Sequence, residues 1–190
     1  MIQAAVTDRE LMEKIRQRDD SAFEELVNRY KKKLFNLIYR MLNDRNETED
    51  ILQETFLRVY RERESYDPHF CFSTWVYTIA LNLTKNELKK RSRFKFLELS
   101  IIQNDRIYSR EDEQVDSGLK NLLENTMNKL PTKYKAALVM REVNQLSYEE
   151  MSDILKVPLG TIKSRVNRAR NMLQKKLKPK LMVNYEVSKA

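Results

Sequence analysis

Glycine occurs only twice in this chain, at Gly118 and Gly160, and proline only four times, at Pro68, Pro131, Pro158 and Pro179. Helix breakers are therefore confined to a few points. The stretches between them are filled with Leu, Lys, Glu and Arg. These four are good helix formers, whereas Gly and Pro disfavour a helix interior by about 1 and 3 kcal/mol. The chain is predicted to be all-α. The same scarcity excludes glycine-rich loops that cradle phosphates. With 190 residues, 41% of them hydrophobic, there is enough chain for one large domain or two small ones, each with a core.

The segment Leu146–Leu173 carries the sharpest local pattern, LSYEEMSDILKVPLGTIKSRVNRARNML. Ser147 followed by Glu150 reads as a capping box opening a helix over Ser147–Leu155. Met151, Ile154 and Leu155 fall on one face of it. Val157, Pro158 and Gly160 mark a turn, and Thr161 is expected to cap a second helix. Ile162, Val166, Ala169 and Leu173 share one face of that helix. Its other face carries Lys163, Ser164, Arg165, Asn167, Arg168 and Arg170. A helix-turn-helix with a cationic second helix suits a DNA major groove. Arg and Asn can bridge base edges, while Lys and Ser can hold phosphates. A solvated basic face is the plainer alternative for the same pattern.

Charge is uneven along the chain. The formal net charge is +8 overall, made of +3 over residues 1–96, −4 over 97–118 and +9 over 119–190. A polyanion is the natural partner of the last part. One cysteine, Cys71, and one histidine, His69, leave no set for a structural zinc site or an internal disulfide. No cofactor and no metal are expected. No apolar run approaches a membrane span and no signal peptide opens the sequence, so a cytoplasmic protein is expected.

The helical periods predict helices over Asp8–Arg18, from Asp20–Ser21 to about Leu42, over Glu47–Glu62 and over Phe72–Lys90. A loop from Arg63 to Cys71 separates the last two. Residues 97–118 lose the helical period and read as a mobile acidic linker. Helices follow over Leu119–Lys129 and Thr132–Arg141, before the helix-turn-helix, and the tail after Pro179 is expected to fray. The organisation is thus two small helical domains, 1–96 and 119–190, joined by a flexible linker. No internal repeat is evident.

Four stretches in this order resemble the bacterial RNA polymerase sigma factors, and among them the extracytoplasmic-function (ECF) type, over nearly the whole chain. They are Asp20–Val27 with Tyr30, Glu49–Tyr60, Phe72–Asn82, and the set Leu130–Tyr134, Leu146–Met151 and Leu159–Arg165. The resemblance implies a non-enzymatic subunit that directs core polymerase to promoters. Residues 1–96 would be the family's region 2, which binds the core and reads the −10 element. Residues 119–190 would be its region 4, which reads the −35 element. Asp50, Gln53 and Glu54, three or four residues apart, would meet the largest core subunits from one helical face. The loop Arg63–Ser73 would supply a pocket for an extruded −10 base. Phe72, Trp75, Asn82, Lys85, Asn86 and Lys89 would lie on the −10 side. Thr161, Lys163, Ser164, Arg165, Asn167, Arg168 and Arg170 would lie on the −35 side.

Core polymerase and promoter DNA are the implied partners, with no small-molecule substrate. An anti-sigma factor, in the family often membrane-anchored, is a further implied partner. Ser152 departs from the alanine common in relatives. Trp75, spaced with Ile79, fits a core position better than a stacking platform. Two other classes stand beside this reading. A free-standing dimeric helix-turn-helix regulator would not need Glu49–Tyr60 or Phe72–Asn82. A nuclease would need a carboxylate cluster with metal-ligand spacing, which the sequence does not offer.

Overall fold

The computed structural model describes residues 6–101 and 118–187, with side chains over 6–94 and 121–178. Every α-helix and the single short 3-10 turn among them are joined without a strand. Helix α1 (Asp8–Arg16) starts at a capping box in which the Glu10 amide donates to Thr7 Oγ1 at 3.2 Å and the Thr7 amide donates to Glu10 Oε2 at 2.7 Å. Helix α2 (Asp20–Leu42) starts on Asp19, whose carboxylate accepts from the Ser21 and Ala22 amides, and stops at Asn43 in the left-handed conformation. Helix α3 (Arg45–Arg61) is capped by Asp44. Helix α4 (Phe72–Ile101) follows a short 3-10 turn. Acceptors at these starts satisfy amides that have no partner within the helix.

Along α2, Leu26, Tyr30, Leu34, Leu37, Ile38 and Met41 recur at helical spacing and are all buried. They pack against α1, α3 and α4, where Met12, Ile15, Val59, Val76, Tyr77 and Leu81 close the first core.

The second half comprises α5 (Gly118–Asn128), α6 (Thr132–Glu142), α7 (Tyr148–Leu155) and α8 (Leu159–Val187). Every residue from Lys135 to Met140 is buried, so α6 is covered all round. One side rests on α8, and the other crosses to α2 in the first half. Helix α7 packs on α4 in the same way. Among the described residues, Glu124, Lys135 and Asn144 make polar contacts from the second half to the first. Lys135 Nζ donates to the Met41 carbonyl at 3.1 Å, Arg40 pairs with Glu124 at 3.1 Å, and Asn144 Nδ2 donates to the Lys33 carbonyl at 2.7 Å and the Tyr77 hydroxyl at 3.2 Å.

The sequence expectations need four corrections. Helix α4 runs to Ile101, eleven residues beyond Lys90, and takes in the first five positions assigned to the linker. Residues 102–117 lie outside the described residues, and the expected mobility of the linker with them. Thr161 is not a cap: the Thr161 and Ile162 amides both donate to the Pro158 carbonyl, so α8 starts at Leu159 and Thr161 sits inside its first turn. Helix α8 runs on past Pro179 to Val187, beyond the point where the sequence ended it. Helix α1 stops at Arg16 because Arg18 takes a left-handed conformation, with φ 65°. No described helix is long and apolar enough to cross a membrane.

Lys135 is 6% exposed, and its ammonium meets only neutral acceptors, the Met41 carbonyl and Asn128 Oδ1 at 2.7 Å. Burial pushes its pKa down to about 8 from 10.5. Each pKa unit is worth about 1.4 kcal/mol, so keeping the charge there costs about 3 kcal/mol at neutral pH. Between the two values the packed chain binds fewer protons than the unfolded chain, and stability rises with pH through that window. The prediction concerns the difference between natural chain and Lys135→Met. On chemical denaturation the natural chain gains stability relative to the variant from pH 7.5 to 9.5. Parallel pH curves would show that the ammonium is not held as described.

Candidate nucleic-acid and protein interfaces

The loop between α3 and α4 is built before any ligand arrives. Arg63 lies over the Tyr60 ring, 4.7 Å from its centroid, and donates to the Tyr60 carbonyl at 2.6 Å. Arg16 reaches from α1 to donate to the carbonyls of Arg63 and Tyr66. The Tyr66 hydroxyl donates to the Phe70 carbonyl at 2.7 Å, and the His69 amide donates to Asp67 Oδ1 at 2.9 Å. Burial pushes the Tyr66 phenol up, which keeps it a neutral donor.

Ser65, Tyr66, Asp67, Phe70, Thr74, Trp75 and Thr78 surround a cavity of about 410 Å³ that opens to solvent. Asp153 and Lys156 of α7 complete its wall from the other half. Aromatic surface and hydroxyl groups together suit a planar, polar-edged group such as an unstacked base. Phe70 is 66% exposed at this site. Phe72 is 2% exposed and faces Tyr30, Tyr66 and Trp75 at centroid distances of 5.2, 6.0 and 6.0 Å. That position supports the pocket from beneath and takes Phe72 out of reach of a DNA contact. Trp75 has both characters, since it packs against the core and also lines the cavity.

Asn82, Asn86 and Lys89 are exposed on α4, and Lys85 is half-buried beside them. Arg91 belongs to the same basic run but turns inward, donating to the Leu42 carbonyl and to Asp44, each at 3.3 Å. Phe94 is 58% exposed and lines a groove with Asn86, Lys89, Lys90 and Arg93. The sequence reading passed over Phe94, although an aromatic among cations was its available signal.

The helix-turn-helix forms as its caps require. The Glu150 amide donates to Ser147 Oγ at 3.0 Å, and the Ser147 amide to Glu150 Oε2 at 2.7 Å. Lys156 closes α7 in the left-handed conformation, φ 52°. Ser152 donates its hydroxyl to the Val157 carbonyl at 2.7 Å, so the departure from alanine gives the turn an additional bond. Ile162, Val166 and Ala169 are buried, which leaves Lys163, Ser164, Asn167 and Arg168 on the exposed face of α8. Thr161 is half-buried. Arg170 is paired with Glu142 at 2.9 Å. Arg168 reaches the Tyr134 hydroxyl at 3.4 Å, and this contact holds that phenol below its ordinary range.

Arg165 points toward the first half. With Lys85, Lys89, Lys133 and Thr132 it lines a cleft of about 410 Å³ between the halves. The Lys85 ammonium is pushed down, first by burial and then by the charges of Arg165 and Lys89. On α3, Asp50 and Gln53 are exposed and Glu54 is half-exposed on neighbouring turns. The Arg58 guanidinium, 2.8 Å from Glu54, holds that carboxyl below the usual range. Leu57 is 40% exposed, three residues beyond Glu54 and four beyond Gln53, so it shares their face. The sequence reading assigned Leu57 no role, although its place off the apolar side of Ile51, Leu52, Thr55, Phe56 and Val59 was the available signal. Among the described residues no group of His, Cys, Asp and Glu could hold a metal ion.

A basic helix-turn-helix in one half, an aromatic pocket beside a basic helix in the other, and a separate acid-and-amide helix face are the features of a two-part DNA-binding protein. The Sigma-70 region 2 family model matches residues 26–94, and the Sigma-70, region 4 model matches residues 120–173. The chain is 36% identical over 177 residues to the ECF RNA polymerase sigma factor SigW of Bacillus subtilis, covering 88% of this chain and 95% of that one. It is 35% identical over 184 residues to the ECF RNA polymerase sigma-E factor of Haemophilus influenzae, covering 92% and 97%. Its fold is similar to the sigma factor RpoE solved with the anti-sigma factor NepR from Bartonella quintana, with TM-score 0.66, 25% identity and coverage of 82% and 96%. It is also similar in fold to CnrH solved with the cytosolic domain of CnrY, with TM-score 0.69, 22% identity and coverage of 90% and 97%. The chain belongs to the ECF sigma factors, the subunits that direct bacterial RNA polymerase to promoters.

A structural role for Phe72 has a measurable consequence. Phe72→Ala removes a buried ring from the aromatic cluster and destabilises the chain by about 3–5 kcal/mol in urea unfolding. A fully stable variant with weakened DNA binding would instead make Phe72 a contact residue.

Proposed function

We propose that the three surfaces divide the work of promoter recognition. The acid-and-amide face of α3, with Asp50, Gln53, Glu54 and Leu57, docks on the largest subunits of core polymerase. Exposed apolar Leu57 supplies the area that desolvates the contact, and the polar groups set its register. The cavity under Phe70, with Trp75 in its wall, takes an unstacked base of the −10 element. Asn82, Lys85, Asn86 and Lys89 hold the adjoining strand, the lysines through phosphates. Lys163, Ser164, Asn167 and Arg168 on α8 read the −35 element, with Arg165 joining them once it leaves the interdomain cleft. Domain boundaries near residues 96 and 119 fit these roles, with α4 reaching past the first boundary.

The observation that carries this reading is the placement of all three faces within the two matched family regions. The role is not enzymatic: the chain lends base recognition and strand opening to the polymerase active site. It acts in the cytoplasm. An anti-sigma factor is a partner of the same kind as those bound to RpoE and CnrH in their solved complexes. A dimeric regulator is not favoured, because such a protein has no use for the α3 face.

Run-off transcription with purified core polymerase and genomic fragments tests the whole assignment. Specific transcripts are expected only when the chain is present, and their start sites locate both promoter elements. Absence of chain-dependent transcripts alongside tight operator binding by the chain alone would favour the regulator.

Separate variants divide the surfaces. Asp50→Ala with Gln53→Ala lowers core affinity at least about tenfold and leaves the helical circular dichroism spectrum unchanged. Arg168→Ala with Asn167→Ala weakens −35 binding by about tenfold and spares core affinity. Asn82→Ala keeps the closed complex but slows its opening, read by permanganate footprinting. Normal opening would remove Asn82 from the −10 side.

A further inference from the structure

We propose that α1 positions the −10 base pocket: the Arg16 guanidinium is a fork that holds the backbone of the pocket loop, and its loss weakens capture of the unstacked base while polymerase docking stays intact. The proposal rests on the promoter-reading assignment and names a positioning residue for the same site. Arg16 lies before residue 26, where the match to the region 2 family model begins.

Three nitrogens of Arg16 each have an acceptor. Nε donates to the Arg63 carbonyl at 3.3 Å, Nη2 to the Tyr66 carbonyl, and Nη1 to Glu13 Oε1 at 3.0 Å. The two carbonyls lie 47 and 50 positions farther along the chain. They flank the 3-10 turn (Arg63–Ser65) that leads into the pocket. Glu13, one turn back on α1, aims the planar group. A lysine ends in a single nitrogen and lacks the flat fork that spans these acceptors.

The hold passes from the loop backbone to the groups that line the pocket. Between Glu62 and Cys71, Tyr66 is the only buried residue, so apolar packing pins the loop at one point. Arg16 supplies a second tie, at the carbonyl of that same residue. Tyr66 in turn sets its ring 5.2 Å from that of Trp75 and gives its hydroxyl to the Phe70 carbonyl at 2.7 Å. Ser65, Tyr66, Phe70 and Trp75 all line the cavity. Phe70 is exposed and has no anchor in the core, so its place follows from the backbone. A loop ordered in advance spares the entering base the entropy of ordering it.

Helix α1 is seated independently of Arg16. Leu11, Met12 and Ile15 are buried in the first core. The Arg18 and Asp19 amides close its last turn on the Ile15 and Lys14 carbonyls at 3.0 and 3.1 Å. At its other end Asp8 accepts from the Tyr30 hydroxyl, and the Tyr30 ring meets Phe72 beneath the pocket. Removing the guanidinium therefore leaves the helix docked and the pocket floor in place, and frees the rim. None of its three acceptors lies on the acid-and-amide face of α3 or on α8.

The test uses holoenzyme assembled from core polymerase and the full-length natural chain, Arg16→Met or Arg16→Lys. The probe is a single-stranded oligonucleotide carrying the −10 sequence located by run-off transcription. A second set carries one abasic position at a time along the same sequence. At the position whose base enters the pocket, the natural holoenzyme is expected to favour the intact strand about thirtyfold. Arg16→Met is expected to lower that preference about tenfold, the equivalent of about 1.4 kcal/mol, by weakening the intact strand alone. Arg16→Lys is expected to fall between the two. Core affinity and the helical circular dichroism spectrum are expected to be unchanged, which general unfolding does not give.

An undiminished preference in Arg16→Met overturns the positioning role. Equal weakening of intact and abasic strands overturns it too, and makes Arg16 a phosphate contact instead. If Arg16→Met loses helical content, Arg16→Lys carries the test, and an undiminished preference there overturns the fork. A natural holoenzyme with no preference at any position shows that the pocket assignment itself fails, which the natural chain reveals before any variant is made.

Discussion

Burial of the apolar stripe on α2 is the interaction on which both halves depend. Leu26, Tyr30, Leu34, Leu37, Ile38 and Met41 leave no accessible gap along that side of the helix. Each fully buried aliphatic side chain contributes about 1.5–3 kcal/mol, so no single polar contact in the molecule rivals the stripe. The stripe orders α1, α3 and α4, and thereby places the acid-and-amide face of α3 and the pocket loop at fixed positions. Helix α6 then uses another side of α2 as its own lid, which explains why Lys135–Met140 is covered on every side. One helix is thus a wall of the first core and the seat of the second half.

Arginine and lysine are sorted by that packing into two kinds. Arg16, Arg63 and Arg91 each donate to a main-chain carbonyl, Arg16 and Arg91 also reach the carboxylates of Glu13 and Asp44, and Arg170 donates to Glu142. Those four build loops and hold helix ends. The exposed Lys89, Lys163 and Arg168 stand on faces where a phosphate can approach. A net charge of +8 consequently overstates the cations free to meet DNA. The distinction bears on salt dependence, because only lysines and arginines that touch phosphates release counterions on binding.

Much of the helical framework was legible because its determinants are local. Ser147 and Glu150 form the expected capping box, and the α8 stripe of Ile162, Val166 and Ala169 is buried as its spacing requires. The pieces missed depend on distant partners. Lys135 reads as a surface lysine, and its burial comes from a carbonyl 94 positions away in sequence. Phe72 reads as an exposed element of a reading face, but Tyr30 of α2 and Tyr66 of the loop draw it inward. Leu57 and Phe94 lie off the predicted core periods, and among the described residues both are exposed. Thr161 has the chemistry of a cap, but Pro158 begins the helix three residues earlier. Main-chain carbonyl acceptors leave no signature in a sequence, so the contacts of Lys135 with Met41 and of Asn144 with Lys33 could not be read from it.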